Sequence, residues 1–296
     1  MRQESSQLSK KTPAWLDREL FPFRSRFLNV DGCEVHYIDE GQGQPLLLLH
    51  GNPTWSFLYR TIVKELRGRF RCIALDYPGF GLSTPSTGYD FRPASHAKIV
   101  QGFVEKLGLN NLLLMVQDWG GPIGLTVATQ EPYRVSGLII GNTWAWPVDG
   151  DAHFERFSKL IGGPVGHFLI RNFNAFVNFL IPAGTTKSKL SKSEMNSYRM
   201  PFANRDLREP TYIFPREILG SKDFLADLER QLPKLRNLPV LILWGDKDFA
   251  FREKERRRFE ALFPNNKLVV LKGAGHFIQE DAPLEIAAAI KNWREK

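Results

Sequence analysis

Short apolar runs punctuate the chain, and amphipathic stretches follow most of them. Pro45 to Leu49 is continuously apolar, and Phe70 to Leu75, Leu112 to Val116, Val135 to Ile140, Val240 to Trp244 and Lys267 to Leu271 repeat the theme. Such runs read as strands, several of them buried on both faces of a sheet. Phe57 to Leu66, residues 93–107 (closed by Gly108) and the stretch from about Pro122 carry apolar residues at helical spacing. A charged helix is expected over Glu253 to Leu262 and a last one over Pro283 to Trp293. Arg26 to Val30 and Glu34 to Asp39 instead alternate in character around Asp31-Gly32, a strong hairpin signal.

Strands alternating with helices imply an α/β fold, a mostly parallel central sheet flanked by helices with the hairpin as an antiparallel edge. The alternation stops over residues 145–230, where strand signals fade and helical patches such as Phe168 to Leu180 take over. The expected organisation is an N-terminal arm (1–23), a core in two pieces (24–144 and 231–296) and an inserted helical cap (145–230). The cap would lie over the carboxyl ends of the strands, where such sheets bind ligands. In the arm, Trp15 and Leu16 are expected to dock on the surface.

Composition narrows the function. The 296 residues are 43% hydrophobic and 24% charged, the balance of an ordinary globular protein. The net charge of +8 is compatible with nucleic acid, a membrane surface or acidic partners. Yet the densest basic stretch, Arg252 to Arg258, has interleaved glutamates and reads as a solvated helix face, so neither nucleic acid nor membrane is expected as a partner. Cys33 and Cys72 are too few for a disulfide scaffold and are expected to be buried, reduced thiols. Without a membrane-length apolar run or a signal-like segment, a cytoplasmic protein is expected.

The candidate chemistry gathers after predicted strands. The run Leu112 to Val116 enters Gln117-Asp118-Trp119-Gly120-Gly121, and a helix leaves it. This is a strand–turn–helix layout like the G-x-S-x-G nucleophile elbow, with Asp118 in place of serine. A carboxylate there needs no base to become a nucleophile; Asp118 could equally be only a helix N-cap. Gly245-Asp246-Lys247-Asp248 follows a later strand and Gly273-Ala274-Gly275-His276 the last. Nucleophile, acid and histidine thus come in the chain order of this hydrolase class. His276 suits a general base, with Asp248 or Asp246 as its carboxylate partner. His36, His96, His153 and His167 read as structural or surface residues. No metal cluster or nucleotide fingerprint is present, so no cofactor is expected.

Taken together, His50-Gly51-Asn52-Pro53-Thr54, Gln117-Asp118-Trp119-Gly120-Gly121 and Gly273-Ala274-Gly275-His276-Phe277 resemble the haloalkane dehalogenases of the α/β-hydrolase superfamily. The likeness spans about residues 24 to 295. It implies Asp118 as nucleophile, His276 as base and Asp248, rather than Asp246, as acid. Asn142, after the preceding strand, stands where some relatives carry a glutamate. Trp119 and Asn52 would hold the leaving halide through the indole N–H and side-chain amide, and their backbone N–H groups would form an oxyanion hole. The partners implied are a small halogenated hydrocarbon and water, with halide ion as a product. Bland alternatives exist: elbow packing for Trp119 and a turn before Pro53 for Asn52.

Trp144, Trp146, Phe154, Phe157, Phe214, Pro215 and Phe249 are candidate pocket walls, although aromatics also fill ordinary cores. An epoxide hydrolase with the same nucleophile is the nearest rival; it would need acids such as Tyr198 and Tyr212 in the pocket. A luciferase-like oxygenase or a non-catalytic small-molecule receptor on the same fold would keep the pocket and lose the hydrolysis.

Overall fold

The computed structural model describes residues 13–294. Strands β1 (Arg26–Val30), β2 (Cys33–Glu40), β3 (Gln44–Leu49), β4 (Phe70–Leu75), β5 (Leu112–Gln117), β6 (Val135–Gly141), β7 (Val240–Gly245) and β8 (Asn266–Leu271) form one sheet. Its order is β1-β2-β4-β3-β5-β6-β7-β8. The β1–β2 hairpin is antiparallel and β2 meets β4 antiparallel, while every later pairing is parallel. Burial follows position. Every residue of β5 and of β7 is buried, whereas the edge strand β8 is buried only at Leu271. Central parallel strands are covered on both faces, which is why their sequences are uninterrupted apolar runs.

Helices α1 (Arg60–Leu66), α2 (Pro93–Lys106) and α3 (Gly120–Gln130) link the first strands. The insertion between β6 and β7 carries α4 (Ala152–Ile161), α5 (Pro164–Phe173), α6 (Ile181–Gly184), α7 (Lys192–Arg199), α8 (Glu209–Gly220) and α9 (Lys222–Gln231). The chain closes with α10 (Glu253–Leu262), α11 (Ile278–Asp281) and α12 (Pro283–Arg294). The helical patch expected over Phe168 to Leu180 is split at Asn174, which takes a left-handed conformation (φ 51°) and ends α5. A π-helical turn, Phe176–Leu180, follows.

Residues 1–12 of the expected arm lie outside the described residues. The rest is no loose arm: Leu16, Phe21 and Phe23 are buried, and Phe21 packs on Trp55 and Phe57. Their apolar surface outweighs the polar residues between them, and the core begins before residue 24. Trp15 meets Trp55 edge-on, with ring centroids 6.1 Å apart.

Two buried carboxylates tie the insertion to the sheet. Glu280 of α11 accepts from both terminal nitrogens of Arg60 in α1, at 2.5 and 2.8 Å, and from the Tyr198 hydroxyl of α7. Asp281 accepts the backbone N–H groups of Thr186, Lys187, Ser188 and Gly275. The last of these anchors the loop that holds His276. Among the described residues no helix is long and apolar enough to cross a membrane, and Cys33 and Cys72 are buried and free.

Candidate active site

The parallel strands deliver their carboxyl ends to one edge of the sheet, and the candidate groups meet there. Asp118 sits in the turn between β5 and α3 with φ 52°, a conformation few non-glycine residues adopt. Neighbouring backbone must come very close to keep it there. A Cβ on Gly51 would collide with the Asp118 carboxylate, and one on Gly120 with the Leu49 carbonyl oxygen. The turn is held by Asp118 N–H donating to the Asn142 carbonyl (2.9 Å) and by Thr143 Oγ1 donating to the Asp118 carbonyl (2.6 Å).

Two backbone N–H groups point at the Asp118 carboxylate. That of Asn52 donates to Oδ1 at 2.7 Å, and that of Trp119 donates as well. Burial raises the Asp118 pKa above the ordinary carboxylate value, and His276 with these two donors opposes the rise. The other carboxylate oxygen lies 3.6 Å from His276 Nε2, beyond a direct hydrogen bond.

On its other side, His276 Nδ1 lies 3.1 and 3.3 Å from the two oxygens of Asp248. Burial pushes the imidazole pKa down, but the Asp248 and Asp118 carboxylates outweigh it and raise the net value. Asp248 is itself positioned: Asn142 Nδ2 donates to its Oδ2 at 2.7 Å and the Ala250 N–H to its Oδ1 at 2.7 Å. Asp246 is turned away and accepts the Gly273 N–H instead. The side-chain nitrogen of Gln117 lies 3.2 Å from both the carbonyl oxygen and the Nε2 of His276. A carbonyl only accepts, so the amide must present N–H groups there, and Nε2 must be the unprotonated nitrogen. That places the imidazole proton on Nδ1, facing Asp248.

Next to the carboxylate lies a small, partly enclosed cavity. Asn52, Asp118, Trp119 and His276 form its polar end; Trp144, Phe154, Phe157, Phe176, Leu180 and Pro215 form most of its apolar wall. A lining this apolar magnifies the pull of fixed donors on any anion formed inside it.

The α/β-hydrolase fold family matches residues 44–283. Over 276 residues the chain is 47% identical to haloalkane dehalogenase 2 of Mycobacterium tuberculosis, covering 93% of this chain and 96% of the relative. The chain belongs to the haloalkane dehalogenase family. A crystal structure of haloalkane dehalogenase DbeA from Bradyrhizobium elkani superimposes with a TM-score of 0.83 at 29% identity, covering 92% of this chain and 97% of that one. A cis-3-alkyl-4-alkyloxetan-2-one decarboxylase of Shewanella oneidensis is 33% identical over 283 residues, 93% of this chain and 89% of its own length.

In this member of the haloalkane dehalogenase family, the expected residues divide cleanly. Asp118, His276, Asp248, Asn52 and Trp119 come together, and Trp144, Phe154, Phe157, Pro215 and Phe249 line the cavity. Phe214 does not line it. Helical phase in α8 turns its ring behind Trp119, where the two stack at 5.2 Å. Trp146 packs outside, against Phe259. His153, expected to be structural or on the surface, lines the cavity and lies 3.2 Å from the Ala250 carbonyl through Nε2.

Neither tyrosine that an epoxide hydrolase would need reaches the cavity. Tyr198 is buried against Glu280, and Tyr212 stacks on His167. Phe176, Leu180, Ile218 and Phe251 also line the cavity and went unnoticed in the sequence; Phe277, quoted only as part of the His276 motif, lines it too. Their apolar character is shared with dozens of core residues, and only tertiary packing separates them. Gln117 stood inside the quoted motif, and its neighbour Asp118 was the only signal it had.

Proposed function

We propose that the protein hydrolyses small haloalkanes to an alcohol, a halide ion and a proton through an alkyl ester on Asp118. The observation that carries this reading is the placement of Asp118. Its carboxylate faces a largely apolar cavity, receives two backbone N–H groups, and stands beside a histidine whose far nitrogen is held by Asp248. Residues 145–230 serve as the cap that selects substrate.

In the first half-reaction an Asp118 oxygen attacks the halogen-bearing carbon. The carbon–halogen bond breaks and its electron pair leaves with the halide. The Trp119 indole N–H and the Asn52 side-chain amide stabilise that charge; one such fixed donor is worth roughly 3 kcal/mol. In the second, His276 Nε2 takes a proton from water and the oxygen adds to the Asp118 carboxyl carbon. The backbone N–H groups of Asn52 and Trp119 hold the oxyanion; the ester carbon–oxygen bond then breaks and the departing alkoxide takes the remaining water proton from the new carboxyl group to leave as the alcohol, while Asp248 stabilises the charged imidazole until its proton is released. The free, buried cysteines fit a reducing cytoplasmic setting.

The test is halide and proton release from chloro-, bromo- and iodoalkanes, with Asp118→Ala as control. Turnover confined to the unmodified protein supports the reading. In a single turnover in ¹⁸O-water, label must enter Asp118 through ester hydrolysis.

A second reading comes from the decarboxylase relative. A buried carboxylate with two oxyanion donors also suits the opening of a strained lactone. Carbon dioxide and alkene released from a cis-3,4-dialkyloxetan-2-one, with no halide from any haloalkane, would replace the first reading with this one.

A further inference from the structure

Helix α5 is amphipathic the wrong way round. Val165, Phe168, Leu169 and Phe173 fall at i, i+3, i+4 and i+8, the spacing of one helix face, and all four are exposed. Phe168 and Phe173 are each 59% exposed, and Phe179, on the π-helical turn that follows, is 68% exposed. Leu160 and Leu207 are exposed as well. Two of the aromatic residues meet directly, and the next turn is tied to them. The rings of Phe168 and Phe173 meet edge-on at 6.1 Å, and Asn178 donates to the Phe173 carbonyl at 2.8 Å. Contiguous exposed apolar surface of this kind marks an interaction site.

The same segment holds almost all of the protein's charge imbalance. Residues 156–208 contain nine lysines and arginines and only two acidic residues, Glu194 and Asp206, a net +7 of the chain's +8. Two of the basic residues border the aromatic ones. Arg199 donates to Asn178 at 2.7 Å, and Arg171, on α5 itself, pairs with Asp206 at 2.7 Å. Read along the whole chain, the positive charge looks dispersed. Within the fold, Arg171 and Arg199 stand beside the apolar face, while Lys159 and Lys187 pair with Glu155 and Glu285 just outside this segment.

We propose that this face of the insertion docks on an anionic lipid surface. Aromatic side chains would enter the headgroup boundary while the surrounding lysines and arginines meet lipid phosphates, the combination that seats interfacial helices. A second copy of the chain fits less well, because a symmetric pairing through this face would set one +7 segment against another. The π-helical turn gives the docking a consequence. Phe176 and Leu180 line the cavity while Phe179 between them points outward, so the lipid-facing surface and the cavity wall are two sides of one segment. Apolar ligands dissolved in a bilayer would be presented next to the pocket.

The test is co-sedimentation of the full-length protein with vesicles of phosphatidylcholine alone and of phosphatidylcholine mixed with phosphatidylglycerol. The expected result is binding to the mixed vesicles only, released as salt is raised toward roughly 0.5 M, where screening is short-ranged. The triple variant F168S/F173S/F179S should lose at least about tenfold in bound fraction, because its aromatic anchors are gone. Its haloalkane turnover in solution should stay unchanged, since none of the three lines the cavity; the single variant F179S serves if the triple does not fold. No binding of the unmodified protein to anionic vesicles would overturn the proposal, as would equal binding by the folded variant. A dimer in sedimentation velocity that the variant turns into monomer, without vesicle binding, would assign the face to a second copy instead.

Discussion

The side-chain amide of Asn52 donates to the Thr211 carbonyl oxygen at 3.2 Å, across the joint between the sheet and the insertion. That carbonyl is available because of Pro215. In α8 the N–H four residues after Thr211 would normally take it, and proline has none. The acceptor fixes which way the Asn52 amide is turned and leaves its second N–H for the cavity. Pro215→Ala restores a competing N–H inside α8. Halide affinity should then fall roughly fivefold, the worth of one hydrogen bond of about 1 kcal/mol. Quenching of tryptophan fluorescence by halide would measure this, and unchanged affinity would show that Thr211 does not orient Asn52.

Removing the base should separate the two half-reactions. His276→Phe leaves Asp118 and its N–H donors in place, so the variant should release one halide per molecule and then stop. Steady turnover should fall by roughly 10²–10⁴-fold, the usual contribution of a general base. Mass spectrometry of a peptic digest should find the alkyl group on the peptide carrying Asp118. Continued alcohol production would remove His276 from the mechanism.

How much of this was legible in the sequence depends on the range of the interaction that decides each feature. The strands were visible because burial on both faces writes an apolar run, and β4 spans Phe70–Leu75 as the pattern predicts. Asp118, Asp248 and His276 were visible because each follows such a run. The choice of Asp248 over Asp246 rested on family likeness, and only the fold shows Asp246 turned to Gly273. Phe214 and Phe176 exchanged roles for a reason no periodicity carries: which ring faces the cavity depends on how α8 and the π-helical turn pack on the sheet. The Asn174 break was equally silent, since asparagine is compatible with both a helix and its left-handed end.

The charge on Asp118 should control the basicity of His276. Two carboxylates raise the imidazole pKa, and esterification neutralises one of them. The pKa must then fall, so that at neutral pH more of the imidazole is unprotonated in the ester than in the resting protein. Asp118→Asn imitates the neutral ester. An NMR titration of His276 should give a lower pKa in this variant than in the unmodified protein. The acid limb of ester hydrolysis should likewise lie below the free-protein value. An equal or higher pKa in the variant would refute the electrostatic account.

Gln117 should act on the same nitrogen from the other side. By donating to Nε2 it favours the neutral imidazole, and it must share that position with the attacking water. Gln117→Leu removes the donor without touching Asp118 or Asp248. The acid limb of hydrolysis should move to higher pH, with the burst of halide from the first half-reaction unchanged in size. A burst that shrinks with no shift of the pH profile would indicate a packing role only.

The joint between sheet and insertion should be thermodynamically costly to break on one side only. Arg60 and Glu280 are almost completely buried, with side-chain exposures of 6% and 4%, and Arg60 also meets Glu194 at 2.7 Å. Arg60→Met strips the carboxylate of its cation and leaves Tyr198 as its remaining side-chain donor. An uncompensated buried charge of this sort typically costs about 3–5 kcal/mol. Chemical denaturation should show a loss of that size. Because Glu280 lies only four residues after His276, hydrolysis should slow as well. Pairing the change with Glu280→Gln removes the stranded charge and should recover a substantial part of the stability, since the penalty comes from the unpaired ion rather than from the missing contact. A double variant as unstable as Arg60→Met alone would place the cost in lost packing, where the Arg60 guanidinium lies 4.2 Å from the centre of the Phe57 ring.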